Sequence, residues 1–172
     1  LSTGDRSRLY LSDGGDSAKS SQLVGAVVED RYRVLAHIGA GGMGEVYEVE
    51  HLRIGRRFAL KTMRSELAMN PDALGRFERE ARAAGSIGNQ HIVEVSDMGR
   101  LPTGDPFIIM ELLKGRDLEA ELEDVGPMPV DRVLHIAEQV CDALGAAHDK
   151  GIIHRDLKPE NVLVVEGYGE DF

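Results

Sequence analysis

Residues 154–161, with the sequence HRDLKPEN, bring three chemically useful side chains into one short segment. The carboxylate of Asp156 can accept or orient the proton of a hydroxyl group, and the ammonium of Lys158 can neutralise a phosphate during transfer. The amide oxygen of Asn161 is a suitable ligand for a magnesium ion. We therefore take these three residues as candidate catalytic residues, with Asn161 also the candidate metal ligand.

A glycine-rich stretch at residues 39–44 is the second group with chemical potential. Glycines have no Cβ, so their backbone N–H groups can approach phosphates closely. The spacing of Gly39, Gly41 and Gly44 is also found in Rossmann folds, where it opens a helix. Here the alternating residues 45–50 follow, which indicates a strand. The pattern therefore predicts a β-hairpin lid over phosphates, with a glycine-rich surface turn as the alternative.

Lys61 lies within residues 58–63, an apolar stretch with the composition of a buried strand. Burying an ammonium group is unfavourable unless it is paired, which indicates a functional partner. Among the acidic residues of the next predicted helix, Glu80 is a candidate partner, since it lies three residues after Phe77, on or near the apolar face. Glu78 is the rival, but its separation of two residues from Glu80 directs it elsewhere. Solvated surface charge is the simpler alternative for both Lys61 and Glu80.

The apolar pattern also predicts the elements that position these residues. Alternation predicts five strands before residue 114, at 32–37, 45–50, 58–63, 91–98 and 106–113. One helix lies among them, because Asn70 is a good N-cap, Pro71 suits the first helical position and glycines 85 and 88 end the pattern. Beyond residue 115 the helical period dominates, with a short helix near 117–123 and a long one over 130–150.

The composition argues against several classes of protein. A net charge of −10 disfavours nucleic-acid binding, and no apolar run in the sequence is long enough to cross a membrane. The single cysteine, Cys141, excludes an internal disulfide and suits a reducing compartment. Residues 1–28 are rich in serine, glycine and aspartate, so we interpret them as a flexible leader.

Together, the glycine lid (39–44), the lysine strand and residues 154–161 resemble the eukaryotic-type (Hanks-type) serine/threonine protein kinases, especially the bacterial members. The resemblance runs from about residue 31 to residue 165. It implies an α+β, protein-kinase-like fold: a five-stranded antiparallel N-lobe with one helix, then the first helices and catalytic loop of a helical C-lobe. The implied division is a leader (1–28), an N-lobe with its hinge (29–113) and the start of a C-lobe (114–172).

The resemblance implies transfer of the γ-phosphate of ATP, with Mg²⁺, to serine or threonine hydroxyls of protein substrates. Met110 would be the gatekeeper, the backbones of Glu111 and Leu113 would bind adenine, and Asp117 could reach the ribose. Lys61 would contact the α- and β-phosphates and pair with a helix glutamate, Glu80. Val46 and Ala59 would line the adenine pocket, although core packing explains both equally well. The full implied set of nucleotide-binding residues is Ile38, Gly39, Ala40, Gly41, Gly42, Met43, Gly44, Val46, Ala59, Lys61, Glu80, Met110, Glu111, Leu113 and Asp117.

The sequence departs from the family at its end. Asp171 and Phe172 lack a following glycine and an apolar strand before them, so we do not interpret them as the magnesium-binding Asp-Phe-Gly segment, which the chain would not reach. We accordingly expect the 172-residue chain alone to be inactive and the apolar stripe of helix 130–150 to be uncovered. The alternatives are a non-catalytic nucleotide-binding or regulatory module and, less favoured, a small-molecule phosphotransferase.

The remaining expectations concern partners and location. ATP and protein substrates are the implied partners, nucleic acid is not, and a dimer through the N-lobe is left open. We expect a cytoplasmic location, either for the whole protein or for the cytoplasmic domain of a membrane-anchored kinase.

Overall fold

The structure, a computed structural model, describes residues 23–165. Residues 27–111 contribute six strands to one antiparallel sheet: β1 (Val27–Val28), β2 (Tyr32–Ala40), β3 (Glu45–His51), β4 (Arg57–Thr62), β5 (Val95–Arg100) and β6 (Pro106–Glu111). Their spatial order is β1-β2-β3-β4-β6-β5. A smaller antiparallel sheet pairs β7 (Gly115–Asp117) with β8 (Leu163–Val165).

Four α-helices accompany these strands in the described part of the chain. They are α1 (Ser65–Ala68), α2 (Pro71–Ile87), α3 (Leu118–Val125) and α4 (Val130–Asp149). A 3-10 helix at Pro159–Asn161 precedes β8.

The first sheet has one strand more than the sequence predicted, because Val27 and Val28 pair with the start of β2. Val28 is almost completely buried, and Leu23 packs against the same apolar cluster. The prediction of a flexible leader is therefore wrong for residues 23–28, whereas residues 1–22 lie outside the described part. The burial of Val28 depends on contacts with distant strands, which local composition does not show.

The first sheet has a separate core on each face. Side chains alternate along β4, so Phe58 and Leu60 enter the first core while Ala59 and Lys61 lie on the opposite face. The other buried members of the first core are Val28, Tyr32, Val34, Tyr47, Val49, Leu101, Phe107 and Ile109. The second core lies under α2 and contains Met63, Phe77, Ala81 and Ile108. Two opposed cores fix which face of the sheet Lys61 occupies.

The predicted start of α2, with Asn70 as the N-cap, is confirmed. The Asn70 side chain accepts the N–H groups of residues 72 and 73 at 3.0 and 3.3 Å, which satisfies two free donors of the first turn. The helix ends at Gly88, whose φ of +67° is a left-handed conformation that glycine adopts readily. The next predicted strand begins later, at Val95, because Asn89 forms a turn by accepting the His91 N–H at 2.8 Å.

A buried carboxylate joins β7, α3 and α4. Glu121 is 7% exposed, and its two oxygens lie 3.0 Å from Arg116 Nε and 2.8 Å from Arg132 Nη2. Pairing of a buried charge on both sides offsets the loss of hydration. Gly115 permits the adjoining β7–β8 pairing, since a Cβ there would lie 2.0 Å from the Val164 carbonyl oxygen.

The predicted apolar stripe of the long helix is largely uncovered. Of the six residues in that stripe, Ala147 is buried, Val133 and Ala137 are exposed, and Ile136, Val140 and Leu144 are only partly buried. Two further apolar residues of α4, Val130 and Leu134, are 73% and 62% exposed. No helix in the range 23–165 is long and apolar enough to cross a membrane.

We expect the 172-residue polypeptide, produced alone, to aggregate and to melt without a sharp transition, because the exposed face of α4 is apolar. Calorimetry combined with sedimentation would measure both properties. A monomer with a sharp cooperative melt would contradict this expectation.

Candidate active site

The predicted glycine lid is the turn between β2 and β3. The N–H of Gly41 donates to the Gly44 carbonyl at 2.8 Å, and the N–H of Gly44 donates to the Gly41 carbonyl at 3.3 Å. Apart from the adjoining residues of the chain, no described atom lies within 4 Å of the position that a Cβ would occupy at Gly41 or Gly42. The tip of the lid is therefore open to a ligand. The other predicted lid residues lead into or form the same turn: Ile38, Gly39, Ala40 and Met43.

The far end of the lid is held against the strand that carries Lys61. A Cβ on Gly44 would lie 1.8 Å from the Thr62 carbonyl oxygen. The Thr62 hydroxyl accepts the N–H of Glu45 at 3.2 Å and lies 3.3 Å from the Glu45 carbonyl oxygen. Arg64 donates to two lid carbonyls, from its backbone N–H at 2.9 Å and from its guanidinium at 3.3 Å. The roles of Thr62 and Arg64 were not predictable from the sequence, because they depend on the close approach of Gly44 to β4.

A polar cluster stabilises the strand behind the lid. Burial, followed by a hydrogen bond to the Glu45 carboxylate, raises the pKa of Tyr47 above its ordinary value. Tyr47 therefore stays protonated and donates to Glu45. The ring of His37 packs edge-on against Tyr47, with centroids 5.2 Å apart. These contacts fix the first residue after the lid.

Four predicted pocket residues share one face of the sheet. Val46 pairs directly with Lys61, and Ala59 pairs directly with Met110. Directly paired residues lie on the same face, as do residues two apart on one strand. Ala59 is buried and the other three are partly exposed. The structure thus brings together the apolar pocket residues and the candidate phosphate-binding lysine.

The structure does not bring Lys61 and Glu80 together, and no ion pair joins them in the described part of the chain. Glu80 is exposed, because α2 buries Phe77 and Ala81 and, at 3.6 residues per turn, Glu80 lies to one side of them. Glu78 lies on the other side, 3.5 Å from Arg82 and 3.8 Å from Arg100. The predicted pair would require a rotation or displacement of α2.

The hinge follows directly from β6, with Leu113 partly buried. Glu111 contacts Glu94 twice: its backbone N–H donates to the Glu94 carbonyl at 3.0 Å, and its carboxylate accepts the Glu94 N–H at 2.7 Å. The resemblance implied a role for the backbone of Glu111 but none for its side chain. Asp117 caps α3 by accepting the N–H of Ala120 at 2.8 Å, so a ribose contact would fall to its other oxygen.

The catalytic-loop residues Asp156 and Asn161 are in contact. The Asn161 side-chain nitrogen donates to the Asp156 carbonyl at 2.7 Å and to its carboxylate at 3.2 Å. The 3-10 helix at Pro159–Asn161 turns the chain so that the two side chains meet. Arg155 has a φ of +64°, a left-handed conformation that is uncommon outside glycine and often found in functional loops.

Acidic residues lie near Lys158, the candidate catalytic lysine. Lys158 Nζ lies 3.4 Å from the carboxylate of Glu160. Loss of hydration, followed by repulsion from Glu160 and Glu123, raises the pKa of Glu119, and Lys158 opposes this effect. Because Glu160 already pairs with Lys158, a phosphate would compete with the Glu160 carboxylate for the ammonium group.

The described residues fit one part of a magnesium site. Asp156 occupies the side-chain nitrogen of Asn161, which leaves the amide oxygen as the ligand atom. Among residues 23–165, no group of three His, Cys, Asp or Glu could hold a metal ion. Magnesium usually takes only one or two protein ligands together with phosphate oxygens, so an amide oxygen beside a bound nucleotide fits. Asp171 and Phe172 lie outside the described residues.

Comparison with known protein families identifies the family to which the chain belongs. Residues 32–169 match the family model described as the protein kinase domain. The chain belongs to the protein kinase family. The family recognised from residues 39–44, 61 and 154–161 is thereby confirmed.

Relatives of this kinase chain include named bacterial enzymes. The serine/threonine-protein kinase Pkn1 of Myxococcus xanthus is 44% identical over 138 residues, which cover 80% of this chain and 20% of that protein. The serine/threonine-protein kinase PknE of Mycobacterium bovis is 44% identical over 133 residues, covering 77% and 23%. The chain thus spans about a fifth of the length of these curated relatives.

Solved structures share the fold of this kinase chain. The crystal structure of the PknI kinase domain of Mycobacterium tuberculosis is similar with a TM-score of 0.75 and 34% identity, over 86% of this chain and 59% of that chain. The α+β, protein-kinase-like fold class is therefore confirmed, with a first sheet of six strands where five were predicted.

Proposed function

We propose that the protein is a serine/threonine protein kinase that transfers the γ-phosphate of ATP to hydroxyl groups of protein substrates. The observation that carries this proposal is the contact between Asp156 and Asn161, the candidate base and the candidate metal ligand. The relatives named as serine/threonine-protein kinases support it. Because the chain spans about a fifth of their length, the activity is proposed for the full-length protein.

The nucleotide would bind across the exposed part of the sheet. Backbone N–H groups at the open tip of the lid would contact the phosphates, and Lys61 would add a positive charge. The face formed by Val46, Ala59 and Met110 would contact the adenine ring. Since the Glu111 N–H is used by Glu94, the base contacts would come from the Glu111 carbonyl and the Leu113 backbone.

Transfer would depend mainly on positioning and charge neutralisation. Asp156 would orient the substrate hydroxyl and accept its proton as the oxygen attacks the γ-phosphorus. Lys158 would neutralise the transferred group, and Asn161 would hold magnesium, which when bound neutralises charge on the phosphates. A pair between Lys61 and Glu80 belongs to the active arrangement in this proposal and requires movement of α2.

The proposal also covers organisation, partners and location. We assign residues 29–113 to the N-lobe with its hinge and residues 114–172 to the start of the C-lobe. ATP and proteins bearing serine or threonine are the proposed partners, and self-association through the N-lobe is a further proposal. The net charge of −10 supports our expectation that nucleic acid is not a partner. A cytoplasmic location, free or membrane-anchored, completes the proposal.

The direct test is phosphate transfer by the full-length protein from γ-labelled ATP to a mixture of serine- and threonine-containing proteins. We expect label on serine or threonine, which chelation of magnesium and the substitution Lys61→Met both abolish. Binding of ATP without any transfer would support the regulatory-module alternative. Transfer to a small-molecule hydroxyl and to no protein would support the small-molecule phosphotransferase.

A further inference from the structure

The side chain of Glu111 makes a contact that nucleotide binding does not explain. Its Oε1 accepts the backbone N–H of Glu94 at 2.7 Å, and its own backbone N–H donates to the Glu94 carbonyl at 3.0 Å. A hydrogen bond to a carboxylate is stronger than one between neutral groups. Glu111, the last residue of β6 before the hinge, therefore binds both the N–H and the carbonyl of the Glu94 backbone.

This double contact lies where the regular strand pairing stops. The ladder between β5 and β6 begins with Val95 opposite Met110, and its register shifts between Val95 and Asp97. Glu94 precedes the ladder, so the carboxylate of Glu111 supplies the hydrogen bond that a further pair of strand residues would have made. On its other side, Glu111 pairs with Phe58 of β4. Its backbone is thus fixed from two directions.

The segment 88–94, which connects α2 to β5, and the end of α2 itself both contact α4 or the residue that follows it. The Asn89 side-chain nitrogen donates to the carboxylate of Asp142 at 2.8 Å. The ammonium of Lys150 donates to the Ser86 carbonyl at the end of α2. The carboxylate of Glu111 therefore joins the hinge to a segment that is itself held by the helix before the catalytic loop.

We infer that the Glu111 side chain is a positioning residue for base recognition, because it fixes the hinge backbone against Glu94. The inference rests on the proposed function and deepens it. Loss of the carboxylate leaves the Glu94 N–H without this acceptor and gives the hinge backbone greater freedom. The lid and Lys61, which contact phosphates in the proposal, are unaffected. The effect is therefore specific to the base. The amino group of adenine can donate to the Glu111 carbonyl, whereas guanine carries a carbonyl oxygen at the same position, so ATP loses affinity and GTP does not.

The test compares binding of ATP and GTP, with magnesium, to the full-length protein and two variants by titration calorimetry. For Glu111→Ala we expect the Kd of ATP to rise about tenfold, in line with the loss of one hydrogen bond to a charged group. The Kd of GTP should change less than about twofold, so the preference for ATP over GTP falls by about five- to tenfold. Glu111→Gln keeps an oxygen acceptor and should restore most of the ATP affinity.

Two further measurements separate positioning from a general loss of stability. Hydrogen exchange at the Glu94 amide should be faster in Glu111→Ala than in Glu111→Gln. The control Glu66→Ala removes an exposed carboxylate on α1 and should leave both affinities unchanged. An unchanged ATP affinity in Glu111→Ala, or equal losses for ATP and GTP, would overturn the inference while leaving the proposed function intact. If the wild-type protein binds no ATP, the proposed function fails and this inference fails with it.

Discussion

Replacing Asp156 with asparagine in the full-length protein is expected to lower kcat about 1,000-fold while the Kd of ATP changes less than about twofold. Asparagine has nearly the same shape, and its side-chain oxygen can still accept the hydrogen bond that Asn161 makes at 3.2 Å. The bond from Asn161 to the backbone carbonyl at 2.7 Å is untouched. The loop therefore keeps its conformation, but the amide cannot accept the proton of the substrate hydroxyl.

Single-turnover phosphate transfer and calorimetric ATP binding, measured on the same preparation, would separate the two effects. Asp149→Asn is the matched control, because Asp149 is an exposed aspartate at the end of α4 and its replacement should leave both quantities unchanged. Phosphate transfer by Asp156→Asn at the wild-type rate would contradict the proposal that Asp156 accepts the proton of the substrate hydroxyl. A large loss of ATP affinity in the same variant would instead point to a structural role.

The substitution Gly44→Ala is expected to raise the KM for ATP about tenfold or more, which corresponds to a cost of about 1.4 kcal/mol. The added Cβ would lie 1.8 Å from the Thr62 carbonyl oxygen and 3.2 Å from the Met63 Cα. Both are backbone atoms, so the lid must move away from β4 to relieve the clash. The hydrogen bonds between Thr62 and Glu45 at 3.2 and 3.3 Å would lengthen as it moves.

Steady-state kinetics of two other glycine substitutions would isolate this clash. Gly42→Ala adds a methyl group to the lid where no described atom beyond the adjoining residues lies within 4 Å, so its KM should rise less than that of Gly44→Ala. Gly75→Ala lies in α2, also with open space around the added Cβ, and should stabilise the helix by about 0.5–1 kcal/mol without changing KM. Equal KM values for the Gly42 and Gly44 variants would show that the approach to Thr62 does not position the lid.

Local patterns predicted much of the secondary structure. Asn70 and Pro71 marked the start of α2 correctly, because an N-cap acts through hydrogen bonds within one helical turn. The alternation in residues 58–63 identified β4, since side-chain direction in a strand follows from the backbone itself. The start of β5 was misplaced because residues 91–94 are apolar enough to resemble a strand, while the side chain of Asn89 forms a turn there.

Contacts between distant segments were not predictable in the same way. The sequence did not reveal β1, the Glu121 pair with Arg132, or the hold of Thr62 and Arg64 on the lid. Each of these requires two segments that are separated along the chain and meet only in the tertiary structure. The separation of Lys61 from Glu80 has the same origin, because Phe77 and Ala81 determine how α2 rotates on the sheet.

The sequence by itself determined the family and the chemical groups: the glycine lid, the lysine of β4 and the Asp156–Asn161 segment. These features are local, because a glycine turn, a strand or a catalytic loop is specified by neighbouring residues. Only the tertiary structure decided that Glu111 holds the hinge through its carboxylate, that Gly44 must lack a side chain, and that α2 directs Glu80 away from Lys61. The reason is that hydrogen bonds and steric contacts act over a few ångströms in space, whereas the residues that make them are far apart along the chain.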